Sequence, residues 1–244
     1  MWTELAADLV KMGFFVACGY AALSAYARRR RPDWTAHLST RRLAVLGVLT
    51  LAVSAIKVIE DVVEQESGPV DTAVLWFVRD HVPAKLSGAF SLITHSGSAT
   101  FLVPLGLFTT LVLLAAKRRF EALLLALSLT TATLLTYVLK VLVARERPVL
   151  WDTQWYWGSS FPSGHTLSTA AFSTAVALCV ARIWPRWGNL AMALALLWTA
   201  LVALSRLVLG VHWPSDVLAA FCLGAFIALL LSVMFDRHRS DAAA

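Results

Sequence analysis

Seven runs of apolar residues, each near the length that crosses a bilayer, constrain this chain more than any other feature. A helix needs ~20 apolar residues to span the hydrocarbon core. Inside that core every backbone polar group must be bonded internally, so only helices and closed barrels cross. The runs lie near 8–27, 43–62, 99–116, 121–143, 165–184, 190–209 and 216–235. They predict an all-α polytopic membrane helix bundle, with a six-helix core and an extra N-terminal span whose start carries Lys11. Composition agrees, since 59% apolar and only 15% charged residues leave too little polar surface for a soluble domain of 244 residues. Residues 1–42 read as the first span with a basic loop, 43–238 as the membrane-embedded core, and 239–244 as a tail. No short apolar core ending in a small-residue cleavage site follows a basic start, so no removable signal peptide is expected.

Charge orients the spans. If the connections at 28–42, 117–120 and 182–189 and the tail from 236 share the cytoplasmic side, that side holds 13 of the 21 basic residues and 3 of the 15 acids. This is the positive-inside pattern, so the basic balance reflects topology and no nucleic-acid partner is expected. Arg28 to Arg31 read as a stop-transfer anchor, with acidic lipid head groups as the alternative. Residues 63–98 form the longest connection on the other side. Val74, Leu75, Phe77 and Val78, then Leu86, Phe90 and Ile93, have helical spacing there and predict short interfacial helices. Cys18, Cys179 and Cys222 each sit in an apolar run, which predicts small core residues and neither a disulfide nor a zinc site.

Ionisable residues at membrane depth are costly, so they are functional suspects. Three clusters fall on the outer face. Lys140 precedes Arg145, Glu146, Arg147 and Pro148 at the end of the fourth span. Lys140 and Arg147, seven apart, would share one face of a helix that Pro148 ends, as a point charge and a bidentate fork suited to phosphate. Phe161, Pro162, Ser163, Gly164 and His165 open the fifth span, where free N–H groups and the helix dipole favour an anion. Ser205 and Arg206 close the sixth span. His212, Trp213, Pro214, Ser215 and Asp216 open the seventh, with Asp216 in reach of His212 to fix its tautomer and leave one ring nitrogen free to attack. Taken singly, each cluster also fits a structural role, as snorkelling cations, a capped helix or a helix-capping Asp.

Together, Lys140, Arg147 and Pro148, then Pro162, Ser163, Gly164 and His165, then Ser205, Arg206, His212 and Asp216 resemble the signature of the type 2 phosphatidic acid phosphatase family. The resemblance covers roughly 43–235, with the motifs in 140–216 and no departure from the family order. It implies a metal-free, cofactor-free phosphatase acting on a lipid phosphomonoester or diphosphate. His212 would be the nucleophile, Asp216 its orienter and His165 the general acid and base. Lys140, Arg147, Ser163, Gly164 and Arg206 would bind the phosphate. The implied partner is an amphiphilic lipid phosphate within the bilayer, undecaprenyl diphosphate first. Phosphatidylglycerophosphate, phosphatidate and lipid A 1-phosphate are the alternatives. The implied place is a bacterial inner membrane with the site on the periplasmic face. Trp151, Trp155, Tyr156 and Trp157 suit interfacial anchoring, with shaping of substrate access as the other reading. His95, with Ser96 and Gly97, is left outside the expected site. A vanadate-dependent haloperoxidase would share the triad but is typically soluble. A non-enzymatic lipid carrier would have no use for an oriented nucleophile.

Overall fold

Satisfying each backbone group within its own segment gives helices throughout. The computed structural model describes residues 2–30, 35, 38, 42–151, 153 and 158–241, with backbone alone for 2–7 and 236–241. Among the described residues the helices are α1 (Trp2–Arg30), α2 (Arg42–Val63), α3 (Gly68–His81), α4 (Ser87–His95), α5 (Ala99–Ala115), α6 (Arg119–Val143), α7 (Gly164–Ile183), α8 (Gly188–Val208) and α9 (Pro214–Asp241), and no strand is present. Among the described residues seven stretches are long and apolar enough to cross a membrane. Six of them match runs read from sequence, while the third, Ala84–Ala115, contains most of the expected run at 99–116 but begins well before it and takes in α4. The interval 63–98 holds the expected short helices, α3 and α4, joined by a single 3₁₀ turn at Ala84–Leu86. Arg31 and Arg41 of the basic loop lie outside the described residues.

The chain divides into two compact units, Met1–Lys57 and Val58–Ala244. In the first, Gly19 lets α1 approach Leu49 of α2, and the Arg42 guanidinium lies 5.7 Å from the Tyr20 ring centre. Cys18 is exposed on α1, contrary to the expectation that all three cysteines sit in the core. A spanning helix meets lipid on its outer face, so an exposed thiol there is not misplaced. Cys179 and Cys222 are buried as expected.

In the second unit α7 is the central helix, packed against α9, α8 and α6. Its sequence explains this, because Ala170, Ala171, Ala175 and Ala177 are all buried and small enough to bring neighbouring backbones close. Gly224 of α9 marks the tightest crossing. A Cβ there would stand 2.4 Å from the Leu167 carbonyl oxygen and 2.7 Å from the Ala170 methyl. Two apolar clusters continue the packing, Leu124, Leu125, Phe172 and Ala228 in one, and Ala132, Leu167, Ala171 and Ala220 in the other. The first residues of α7 and α9 and the last of α6 and α8 therefore meet at one end of the bundle.

Candidate active site

At that end α6 stops earlier than its sequence suggests. Ala144 takes a left-handed conformation at φ 47°, its N–H bonding the Lys140 carbonyl, and the chain runs on without helix through Arg145, Glu146 and Arg147. The expectation that Lys140 and Arg147 share a helical face is thus corrected. The left-handed cap releases the backbone three residues before Arg147, and Pro148 disfavours helix for Arg147 itself. The two cations still converge. Lys140 Nζ donates to the Ser159 carbonyl, and Arg147 donates to the same oxygen at 3.4 Å and to the Gly158 carbonyl at 3.0 Å. Ser160 N–H donates to the Arg145 carbonyl at 2.8 Å, which stitches segment 158–160 beside 145–147.

Ser163 caps α7 and is fully buried, its hydroxyl 3.1 Å from that of Thr166 and its N–H on the Asp216 carbonyl. Gly164 and His165 follow as the first residues of α7. His165 lies within electrostatic reach of Arg206, His212, Arg147 and Lys140, which come from three other segments. Arg206 is almost wholly buried in the last turn of α8 and donates to the Thr94 hydroxyl at 2.6 Å.

His212 sits in the short link between α8 and α9. Its Nδ1–H donates to Asp216 Oδ2 at 3.4 Å, and the same oxygen accepts the Trp213 N–H at 2.9 Å. With Nδ1 turned to a carboxylate, Nε2 carries the free lone pair, and it faces Arg147 Nη1 at 3.4 Å. Arg147 Nη1 also holds the Val211 carbonyl at 2.8 Å, fixing the link from the other side. Burial keeps the His212 imidazole neutral, with a pKa lowered to about 4. The Asp216 carboxylate works against that shift, and Arg206 and Arg147 add to it. A neutral imidazole held at Nδ1 by a carboxylate, with its lone pair on Nε2, has the chemistry of a nucleophile. Gly210 turns the chain into this link at φ 66°, and the Trp151 ring lies so close that a Cβ would stand 2.7 Å from it. Trp151 in turn lies under the Arg79 guanidinium, 4.6 Å away, and beside Trp76, both from α3.

The structure therefore brings Lys140, Arg147, Ser163, Gly164, His165, Arg206, His212 and Asp216 to one end of the bundle. Trp155, Tyr156 and Trp157 lie outside the described residues. His95 is exposed at the end of α4, while a Cβ at nearby Gly97 would stand 3.4 Å from that of His165. Sequence reasoning missed Asp71 and the role of Arg145. Arg145 reaches both Asp71 and Asp216 at 2.7 Å. One signal was present, because Asp71 lies four residues before Leu75, on the face that α3 buries, and a buried carboxylate needs a partner. A cleft of about 420 Å³ opens among Lys140, Val141, Ala144, Arg145, Glu146, Arg147, Gly158 and Ser159. Among the described residues no three His, Cys, Asp or Glu side chains are grouped to hold a metal ion.

Residues 121–240 match the PAP2 superfamily. Phosphatidylglycerophosphatase B of Bacillus subtilis (strain 168) is 32% identical over 142 residues, which cover 57% of this chain and 70% of that protein. The undecaprenyl-diphosphatase of Sulfolobus acidocaldarius is 31% identical over 153 residues, 60% of this chain and 69% of the relative. The crystal structure of the transmembrane PAP2 type phosphatidylglycerolphosphate phosphatase from Bacillus subtilis superposes with a TM-score of 0.67 at 25% identity, covering 75% of this chain and 96% of that one.

Proposed function

The chain belongs to the PAP2 superfamily of membrane lipid phosphatases, and on that footing we propose that it hydrolyses a lipid diphosphate through a phosphohistidine formed on His212. The observation that carries this reading is the buried His212, held at Nδ1 by Asp216 with Nε2 turned the other way toward the Arg147 guanidinium at 3.4 Å. Nε2 attacks phosphorus as the bond to the leaving phosphate oxygen breaks. Asp216 stabilises the imidazolium that forms, and His165 protonates the leaving group and then takes a proton from water for the second step. Lys140, Arg147, Arg206, the Ser163 hydroxyl and the Gly164 N–H stabilise the non-bridging oxygens, where charge collects in the transition state. Four positive or N–H donors in a buried site supply the field that metal ions give other phosphatases, so no metal is required by this chemistry.

The substrate is an amphiphile. The cleft beside Lys140 and Arg147 includes Val141, which is exposed on the flank of α6, so an acyl or prenyl chain in the bilayer can lie against the helix while its phosphate reaches the cations. Arg79 lies over Trp151, which packs against Gly210 just ahead of His212, and a cation there would suit a second phosphate, which favours undecaprenyl diphosphate as the substrate. Phosphatidylglycerophosphate is the second reading, favoured by the likeness to the Bacillus subtilis enzyme. The positive-inside charge pattern supports a bacterial inner membrane with the site on the periplasmic face.

Phosphate release from undecaprenyl diphosphate, phosphatidylglycerophosphate, phosphatidate and lipid A by purified protein tests the reading. The largest kcat/KM is expected for undecaprenyl diphosphate, and His212→Ala is expected to abolish release from all four. A higher value for phosphatidylglycerophosphate would move the assignment to the second reading. Substantial turnover by His212→Ala would remove the nucleophile.

A further inference from the structure

We propose that Asp71 and Arg145 are positioning residues for the Asp216 carboxylate, which makes α3 a working part of the catalytic apparatus. The proposal rests on the assignment of His212 as nucleophile and Asp216 as its orienter. Arg145 lies between two buried carboxylates. Its Nη1 donates to Asp216 Oδ1 at 2.7 Å and to Ser215 Oγ at 2.7 Å, and its Nη2 donates to Asp71 Oδ2 at 2.7 Å and to Ser67 Oγ at 3.0 Å. Asp71 completes the link by accepting the Ser215 N–H at 2.8 Å on Oδ1 and the Ser215 hydroxyl at 2.6 Å on Oδ2. Asp71 is 2% exposed and Asp216 fully buried, so water does not compete for these bonds.

The geometry divides the work of Asp216 between its two oxygens. Oδ2 faces His212 Nδ1 and the Trp213 N–H, and Oδ1 is taken by Arg145. A carboxylate bonded at both oxygens cannot rotate about its own axis, which keeps Oδ2 aimed at the imidazole. Arg145 could itself swing, since it stands in non-helical chain after α6, and the Asp71 carboxylate is what fixes its fork. Arg145 borders the cleft beside Lys140 and Arg147, but its Nη1 and Nη2 are taken by Ser215, Asp216, Ser67 and Asp71, and the cation beside His212 Nε2 is Arg147. Loss of either residue therefore lowers the rate of the chemical step and leaves substrate binding in place.

Arg145→Gln, Arg145→Lys, Asp71→Asn and the double variant Asp71→Asn with Arg145→Gln test this with phosphate release from undecaprenyl diphosphate in detergent micelles. Arg145→Gln is expected to lower kcat about 100-fold or more with KM within twofold, and Arg145→Lys to recover at least tenfold of it. Asp71→Asn is expected to lower kcat about tenfold. Adding Asp71→Asn to Arg145→Gln is expected to change kcat by less than twofold, because Asp71 acts through Arg145. Retention of kcat within threefold by Arg145→Gln, a loss carried by KM, or additive losses in the double variant would each overturn the proposal. Should Arg145→Gln not fold, the near-isosteric Asp71→Asn decides by the same kcat against KM split. Acid-quench trapping of a labelled phosphohistidine in the wild type checks the underlying assignment separately. Its absence removes the nucleophile and the proposal together, whereas its presence with undiminished kcat in the variants overturns the positioning role alone.

Discussion

His212 illustrates how much a single side chain depends on its surroundings. An exposed histidine titrates near 6.5, and burial lowers this one to about 4. A depressed pKa in the folded state means that the unfolded chain binds the proton first. The stability contributed by the neutral ring is whole above about pH 6.5 and is lost as pH falls toward 4, by on the order of 3 kcal/mol at most. Thermal melting should therefore show an acid-dependent loss across pH 6.5 to 4 that is smaller in His212→Gln. The same shift leaves His212, the proposed nucleophile, deprotonated through the weakly acid range. The acid limb of kcat/KM for the free enzyme should lie below about pH 5, unless substrate ionisation intervenes. A limb near 6.5 tracking enzyme and not substrate would contradict the burial seen here.

At the scale of elements, the pairing of α7 with α9 sets the distance between His165 at one helix start and His212 and Asp216 at the other. Gly224 permits that pairing, because its missing side chain leaves the Leu167 carbonyl room to approach. Gly224→Val should drive the two helices apart. A loss of about 1–3 kcal/mol is expected for such overpacking, read as a lower melting temperature together with a lower kcat. A variant with wild-type melting and turnover would show that the crossing tolerates expansion and that the site does not depend on it. The irregular segment after α6 is the other decisive element. Sequence spacing suggested a helix to Pro148, and the helix instead closes at Ala144. Periodicity reports which residues could share a face, but a left-handed cap is a local backbone choice set by what packs around it. The Ser160 and Trp213 contacts to the carbonyls of Arg145 and Glu146 come from distant segments that no local pattern reveals.

For the whole molecule, the charge asymmetry of the connections predicts that the site faces outward. On a background without the native cysteines, Ser159→Cys should label with an impermeant reagent from outside intact cells and Arg186→Cys should not. The reverse pattern would invert the topology. On the proposed mechanism turnover should survive EDTA, because Lys140, Arg147 and Arg206 would supply the positive charge. Loss on chelation with recovery on added Mg²⁺ would refute the metal-free mechanism.

The sequence by itself determined the seven spans, the helical class, the two-sided charge and the identities of the residues that converge, because bilayer thickness imposes a length and hydropathy that a linear pattern records directly. It also carried the His212 and Asp216 pair, four residues apart at a helix start. Only the tertiary structure decided that Arg145 is held between Asp71 and Asp216, that Thr94 receives Arg206, and that Trp151 lies against Gly210. These partners are separated by dozens of residues or more in the chain. Their pairing follows from helix packing in three dimensions, where burial makes each unsatisfied charge costly and so selects the one arrangement that satisfies them together.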